Sequence, residues 1–452
     1  MPELLLHSRR CFTDNRLTEA MLHIKDRKIK EIHPGLHQIP GIPFLDCRNL
    51  IVMPGIIDAH VHINEPGRTR WEGFDTATRA AALGGVTTLI EMPLNASPVT
   101  TTVAAFNLKK EAAKNKLHVH CGFYGGIVPG NENHIESLLK TGVFGIKGFL
   151  THSGIEEFPE VKREQLETIA PVLKKYNVPL LLHCELEDEQ VPPVTDRTSY
   201  KAYLQSRPPR WEISAIRLAL ELQEKFDIRV HIVHLSAAEA LPLIRERKKH
   251  TAKLTVETCP HYLFFNAETI PDASPLYKCA PPIREIENND ELWKSLLQGD
   301  FDFMASDHSP APPEMKQLEQ GDLFSAWGGI SGLQFTLPAL WTAGKPKGLT
   351  PEKLIPLLTS HPADFLGLGA QKGRLKPGYD ADITVWDDTA AFTITGKDIQ
   401  HRHKATPYMN RKVFGKIIHT FVNGVQIVKN GSLIKTEQGE LLARPNPDGG
   451  KI

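Results

Sequence analysis

Cysteine is scarce in this chain of 452 residues: six stand far apart, at Cys11, Cys47, Cys121, Cys184, Cys259 and Cys279, with no CxxC pair. That spacing excludes a small disulfide-stapled secreted fold. It predicts free thiols in a reducing compartment, the cytoplasm. An excess of charge of either sign is also missing, since 53 Lys and Arg balance 53 Asp and Glu. With no basic arm and no acidic tail, neither nucleic acid nor a membrane surface is an expected partner. No apolar run reaches the ~18 residues of a membrane span. The opening MPELLLHSRR has too short an apolar run, and no basic region before it, for a secretory leader. No Gly-rich phosphate loop follows the first apolar strand, which argues against a doubly wound nucleotide-binding sheet.

What is present is a globular balance, with 41% hydrophobic residues, enough for one large domain and a smaller one. Residues 1–52 read as short strands. MLHIKDRKIKEIHPG sets Leu22, Ile24, Ile29 and Ile32 around a basic turn, as a hairpin does. From residue 53 apolar runs alternate with amphipathic segments. The runs are IIDAHVH, VTTLIEM, FGIKGFL, VPLLLHC, RVHIVHLS, KLTVETC and DFMASDH; the segments include EQLETIAPVLKKY and ISAIRLALELQEKF. Apolar strands followed by helices predict a covered parallel sheet. With a weakly marked strand near HVHCGFYGGIV (118–128), they predict an α/β fold: a (β/α)8 TIM-type barrel over 53–369. Strands return over 370–452, where Asn423-Gly424 signals a hairpin. This segment is expected to join residues 1–52 as a small β-sandwich built from both chain ends, with ARPNPDGGKI as a loose tail.

The histidines carry the chemistry. In a strand, residues two apart share a face, so IIDAHVH sets Asp58, His60 and His62 together. Two imidazoles at the end of a buried strand are costly unless their nitrogens are used, and a divalent metal such as zinc uses them; a hydrogen-bonded pair is the alternative. Other strand ends shift the balance. His183 closes VPLLLH, His234 closes RVHIVH and Asp307 closes FDFMASD, and barrel enzymes collect catalytic residues there. Four converging strands with imidazole or carboxylate ends predict a shared metal site. His231 faces the opposite way from His234 and reads as structural, while His261 and His308 read as supporting or substrate-facing. Lys147 interrupts VFGIKGFL near a strand end. It is either a lysine snorkelling at the rim or a buried amine that takes up carbon dioxide as a metal-bridging carbamate.

Together these residues resemble the amidohydrolase superfamily, in its cyclic amidase branch, from MPGIIDAHVH (53–62) to HKATPY (403–408). The resemblance implies two divalent cations, zinc being the first choice. His60 and His62 match ligands of one metal and His183 and His234 those of the other. Lys147 matches the carboxylated bridging lysine. Asp307, in SDHSP, matches the aspartate that binds the first metal and shuttles protons. GRLKPGYDADITVWD (373–387) resembles the superfamily's strand-turn-strand return to the small β domain. Within the branch, dihydroorotases carry an arginine two residues after the second histidine; Asn64 stands there instead. HINEPGR, WEGFDTATRAAALGGVTTLIEMPLN, CAPPIR, SDHSPAPPEMK, AWGGISGLQ and RHKATPY are similar to segments of allantoinases, and HKATPY and the LNASP loop at 94–98 are not shared with hydantoinases.

The implied reaction opens allantoin, a cyclic ureide, to allantoate. A hydroxide between the metals attacks a polarised carbonyl while Asp307 takes a proton and delivers it to the departing nitrogen. Hydantoinase or dihydropyrimidinase is the alternative, and a non-catalytic assembly relative a third. A ring of amide donors and acceptors suits neutral groups. The expected contacts are Asn95, the backbone around Cys279-Ala280-Pro281, and Gly328 and Gly329; a plain turn is the alternative for each. Asp58 is expected either to orient a ligand imidazole or to be structural. The family implies a homotetramer.

Overall fold

The computed structural model describes residues 3–187, 190, 191, 193–435 and 437–445. Eight parallel strand positions close into the expected barrel. A three-stranded run, Ile56–Val61, Val86–Glu91 and His120–Phe123, joins a six-stranded run of Gly125–Gly126, Ile146–Phe149, Pro179–His183, Arg229–Ile232, Leu254–Thr258 and Phe303–Met304. His120–Phe123 and Gly125–Gly126 are one strand position interrupted at Tyr124. The Phe144 amide donates to the Phe123 carbonyl at 2.9 Å, and the His62 amide donates to the His308 carbonyl at 2.8 Å to complete the ring.

Local sequence explains these elements. Every residue of Pro179–His183 is buried, as a barrel strand covered on both faces requires. The Arg163–Tyr176 helix buries Leu166, Ile169, Ala170 and Leu173, spaced i, i+3, i+4 and i+7, and ends at Asn177 with φ 49°. The weak signal at 118–128 has a steric cause. A Cβ would stand 2.4 Å from the Phe144 ring at Gly122, 2.5 Å from Leu138 at Gly125 and 2.4 Å from the Phe158 ring at Gly126. Close packing there demands glycine, and glycine carries no hydrophobic signature.

Strands from both chain ends form a single nine-stranded sheet, running Ser432–Leu433, Val425–Lys429, Lys412–Val422, Ile383–Thr393, Ile51–Pro54, Leu4–Thr13, Arg16–Lys25 and Lys28–Pro34, with Phe44–Asp46 beside Leu4–Thr13. Leu6, Leu22, Ile24, Val52, Ile383, Val385 and Phe421 from both ends share one core. The sandwich expected from the sequence is thus one continuous sheet, stitched where Ile51–Pro54 pairs with Ile383–Thr393. Both foreseen hairpins form, at Asp26-Arg27 (φ 51° and 70°) and Asn423-Gly424 (φ 53° and 73°). The start of the expected loose tail is fastened instead. The Arg444 amide donates to the Gly142 carbonyl at 2.8 Å, as the Leu442 amide just before the tail does to the Cys121 carbonyl; the rest of that tail, 446–452, lies outside the described residues. No helix among the described residues is long and apolar enough to cross a membrane.

Candidate metal centre

Six side chains meet at the C-terminal end of the barrel. His60 lies within Ile56–Val61 and His62 just past it. Lys147 lies within Ile146–Phe149, and His183 ends Pro179–His183. His234 follows Arg229–Ile232 and Asp307 follows Phe303–Met304. All six line one cavity of about 520 Å³, and all are buried. His234 and Asp307 turn out of their strands at φ 38° and 44°. Such left-handed backbone is uncommon outside glycine and clusters at functional sites.

The spacings form a tight donor set. Asp307 Oδ1 stands 3.2 Å from His60 Nε2 and 3.3 Å from His62 Nε2. His183 Nδ1 and His234 Nε2 are 3.0 Å apart, and the His60 and His234 ring centres are 5.4 Å apart. Burial pulls His62 down to about 4 against the pull of Asp307, and His234 well below the usual histidine range. Asp307 lies far below the carboxylate range, because His60, His62 and His234 outweigh its desolvation. Burial also lowers Lys147 to about 8. Among the described residues Lys147 Nζ has no hydrogen-bond partner, and it faces the Phe149 ring at 4.9 Å.

This arrangement fits cations. His60 Nδ1 donates to Glu257 at 2.5 Å and His183 Nε2 donates to Glu185 at 2.7 Å. Each carboxylate fixes its imidazole tautomer and aims the opposite lone pair at the cluster. With the His60 Nδ1–H on Glu257, His60 Nε2 and Asp307 Oδ1 face each other 3.2 Å apart as acceptors, a spacing that suits a shared cation. Ligand atoms of His60, His62 and Asp307 lie within 4.8 Å of one another, as do those of Cys259, His261 and Asp307.

Glu257 and Glu185 carry no signal along the chain that marks them as site residues. Glu257 is a lone acid inside KLTVETC. It accepts from His60 and approaches His231 Nε2 at 3.2 Å; burial raises its pKa, but the two imidazoles win and hold it at about 2. Glu185 is paired with Arg207 at 2.5 Å. Of the two roles expected of Asp58 the structure matches the structural one: it accepts the backbone amides of His60 and Ser306 at 3.2 Å. His231 stacks on Phe303, with ring centres 5.0 Å apart, and stays off the cavity. His261, His308 and Asn64 do not line the cavity either.

The opposite wall is built of loops. Asn95 lines it at φ 72°, with its amide nitrogen 3.5 Å from His62 Nδ1. Of Cys279-Ala280-Pro281 only Ala280 reaches the cavity, for the Cys279 and Pro281 carbonyls accept from Tyr203 and Tyr262. Gly328 and Gly329 both line it.

Residues 51–427 match the amidohydrolase family, and the chain belongs to that family of hydrolytic enzymes. The chain is 41% identical to an allantoinase of Arabidopsis thaliana over 96% of this chain and 90% of the relative. It is 40% identical to an allantoinase of Streptomyces avermitilis over 98% and 99%. Among solved structures, an L-hydantoinase (dihydropyrimidinase) from Arthrobacter aurescens superposes with TM-score 0.93 at 30% identity, covering 98% of this chain and 100% of that one.

Proposed function

We propose that this enzyme hydrolyses one cyclic amide bond of allantoin to give allantoate. The observation that carries the reading is the convergence of four histidines, Lys147 and Asp307 on one cavity, in a chain that is similar to allantoinases over nearly its whole length.

His60, His62 and Asp307 would hold one divalent cation and His183 and His234 a second. An imidazole-rich set suits zinc. Lys147 would serve both as a carbamate: its neutral amine would bond to the carbon of carbon dioxide and lose a proton, leaving one negative charge shared by two oxygens. The depressed pKa leaves a useful share of neutral amine near neutral pH. Bound there, the cations acidify water and polarise the ring carbonyl. Asp307 supplies the proton traffic. Its ionised oxygen accepts a proton as water attacks, then returns it to the departing ring nitrogen, a role worth ~10²–10⁴-fold. Asn95, Ala280, Gly328 and Gly329 offer neutral contacts to the ring, and Asn64 stands where dihydroorotases carry the arginine that grips a ring carboxylate.

The test is a substrate panel of allantoin, hydantoin, dihydrouracil and dihydroorotate with metal-loaded protein. Allantoin should give the highest kcat/KM; negligible allantoin turnover overturns the reading. The fold likeness to the L-hydantoinase supports a second reading, which hydantoin or dihydrouracil preference would establish. A homotetramer in the cytoplasm is carried over from the family resemblance and the unpaired cysteines; sedimentation of the metal-loaded protein checks the assembly.

A further inference from the structure

Residues 324–329 all line the cavity and have no helix or strand to hold them. Two lysines hold them instead. Lys278 Nζ donates to the carbonyls of Phe324 at 3.2 Å and Ala326 at 2.5 Å. Lys316 Nζ donates to the carbonyls of Trp327 at 3.2 Å and Gly329. Four of the six carbonyls in this segment therefore end on two ammonium groups.

Most of the amides are engaged as well. Those of Phe324 and Ser325 donate to the Asp322 side chain. Those of Ala326, Trp327 and Gly329 donate to the carbonyls of Asp322, Met315 and Lys278. Among the described residues nothing accepts from the Gly328 amide, and Gly328 faces the cavity.

We propose that Lys278 and Lys316 are positioning residues for ring recognition: a pair of Nζ donors that draws the carbonyls of 324–329 away from the substrate and presents the Gly328 amide to it. Naming the ring as a cyclic ureide rests on the functional reading above; the clamp itself does not.

The lysines are poorly placed for any ordinary role. Lys316 is buried and meets no carboxylate among the described residues; Lys278 and Cys279 face it, and burial lowers Lys316 to about 7 and Lys278 to about 8. Lys278 faces Arg207, Arg197 and Asp322, and Asp322 is already engaged by Arg197 at 2.9 Å. A lysine that served only packing would extend its ammonium to water. Here both Nζ atoms donate to carbonyls of one segment, Lys316 from a buried position and Lys278 from the lining of the cavity itself.

The test compares Lys278→Met, Lys316→Met and Lys278→Arg holoenzymes with wild type. Losing a charge-assisted hydrogen-bond pair should raise KM about tenfold or more, with kcat and bound metal per chain nearly unchanged. Lys278→Arg keeps a cation and should recover most of the loss. Hydrogen exchange at the amides of 324–329, read without substrate, should quicken in the Met variants. Exchange needs no turnover, so a failed allantoin reading leaves this arm intact. Unchanged KM and exchange in a folded Lys278→Met protein would overturn the clamp, as would a fall in kcat and metal content matching the rise in KM. If Lys316→Met does not fold, Lys278→Met alone decides.

Discussion

The two walls of the cavity are made differently. The metal wall consists of side chains at the ends of buried strands: His60, Lys147, His183 and, a residue or more past a strand end, His62, His234 and Asp307. The recognition wall consists of loops, with Asn95, Ala280 and 324–329. The first needs particular atoms, and only imidazole, amine and carboxylate supply them. The second uses backbone carbonyls and amides, which almost every residue type carries. The proposed metal wall should therefore tolerate almost no change of residue, while the proposed recognition wall should depend on how the backbone is held.

The comparison is broken most directly at Lys147. Lys147→Ala should abolish turnover and lower metal content, with partial rescue by a short carboxylic acid that replaces the carbamate oxygens. Full activity without rescue would remove Lys147 from the metal wall. Its titration gives a second handle. Only the neutral amine attacks carbon dioxide, so raising the pH converts ammonium to reactive amine. Reactivation of metal-free enzyme with zinc at fixed dissolved carbon dioxide should climb up to about pH 8 and then level. A rate still climbing well beyond that pH would mean an ordinary lysine.

Asp307→Asn comes next. It removes the proton acceptor and leaves one oxygen for a cation, so kcat should fall by about 10²–10⁴-fold with most of the metal retained. A mild effect would end the shuttle role. Smaller again is Glu257→Gln, which withdraws the carboxylate from His60 and His231. Outer partners of metal-binding imidazoles typically contribute ~10–100-fold in metal affinity, so competition with a chelator should show a loss of that size. Unchanged affinity would make Glu257 a packing residue.

The legibility of the two walls follows from the same contrast. His60, His62, His183, His234 and Asp307 each interrupt or close an apolar strand, a signal strong enough to read from the sequence. Glu257 sits just as deep in a strand, but one acid in KLTVETC has no partner visible along the chain; His60 lies 197 residues away. Asp58 shows the limit of strand parity. It shares a face with His60 by spacing, yet its carboxylate is spent on the amides of His60 and Ser306, because the strand register shifts between Asp58 and Val61. The barrel was readable from its apolar runs except at 118–128, where packing required glycine. Lys278 and Lys316 have no partner visible along the chain, since the carbonyls they bond become neighbours only when the loop folds over them.

The smallest effects come from the paired glycines, for which turn and contact are equally good explanations along the chain. At Gly329 φ is 118° and a Cβ would stand 2.6 Å from the Ser309 carbonyl oxygen. Both strain and collision oppose a side chain, so Gly329→Ala should lose about 1–3 kcal/mol of stability. Gly328 has no positive φ, and its nearest neighbour would be Lys278 Cε at 3.9 Å. Gly328→Ala should therefore change stability by under about 0.5 kcal/mol, and any loss should appear in KM, because the methyl group enters the cavity. Thermal unfolding and steady-state kinetics of the two variants separate a glycine required by the loop from one left bare for the ring. A Gly328→Ala protein that melts early with normal KM would place both glycines in the loop's own architecture and leave the recognition wall without its backbone donor.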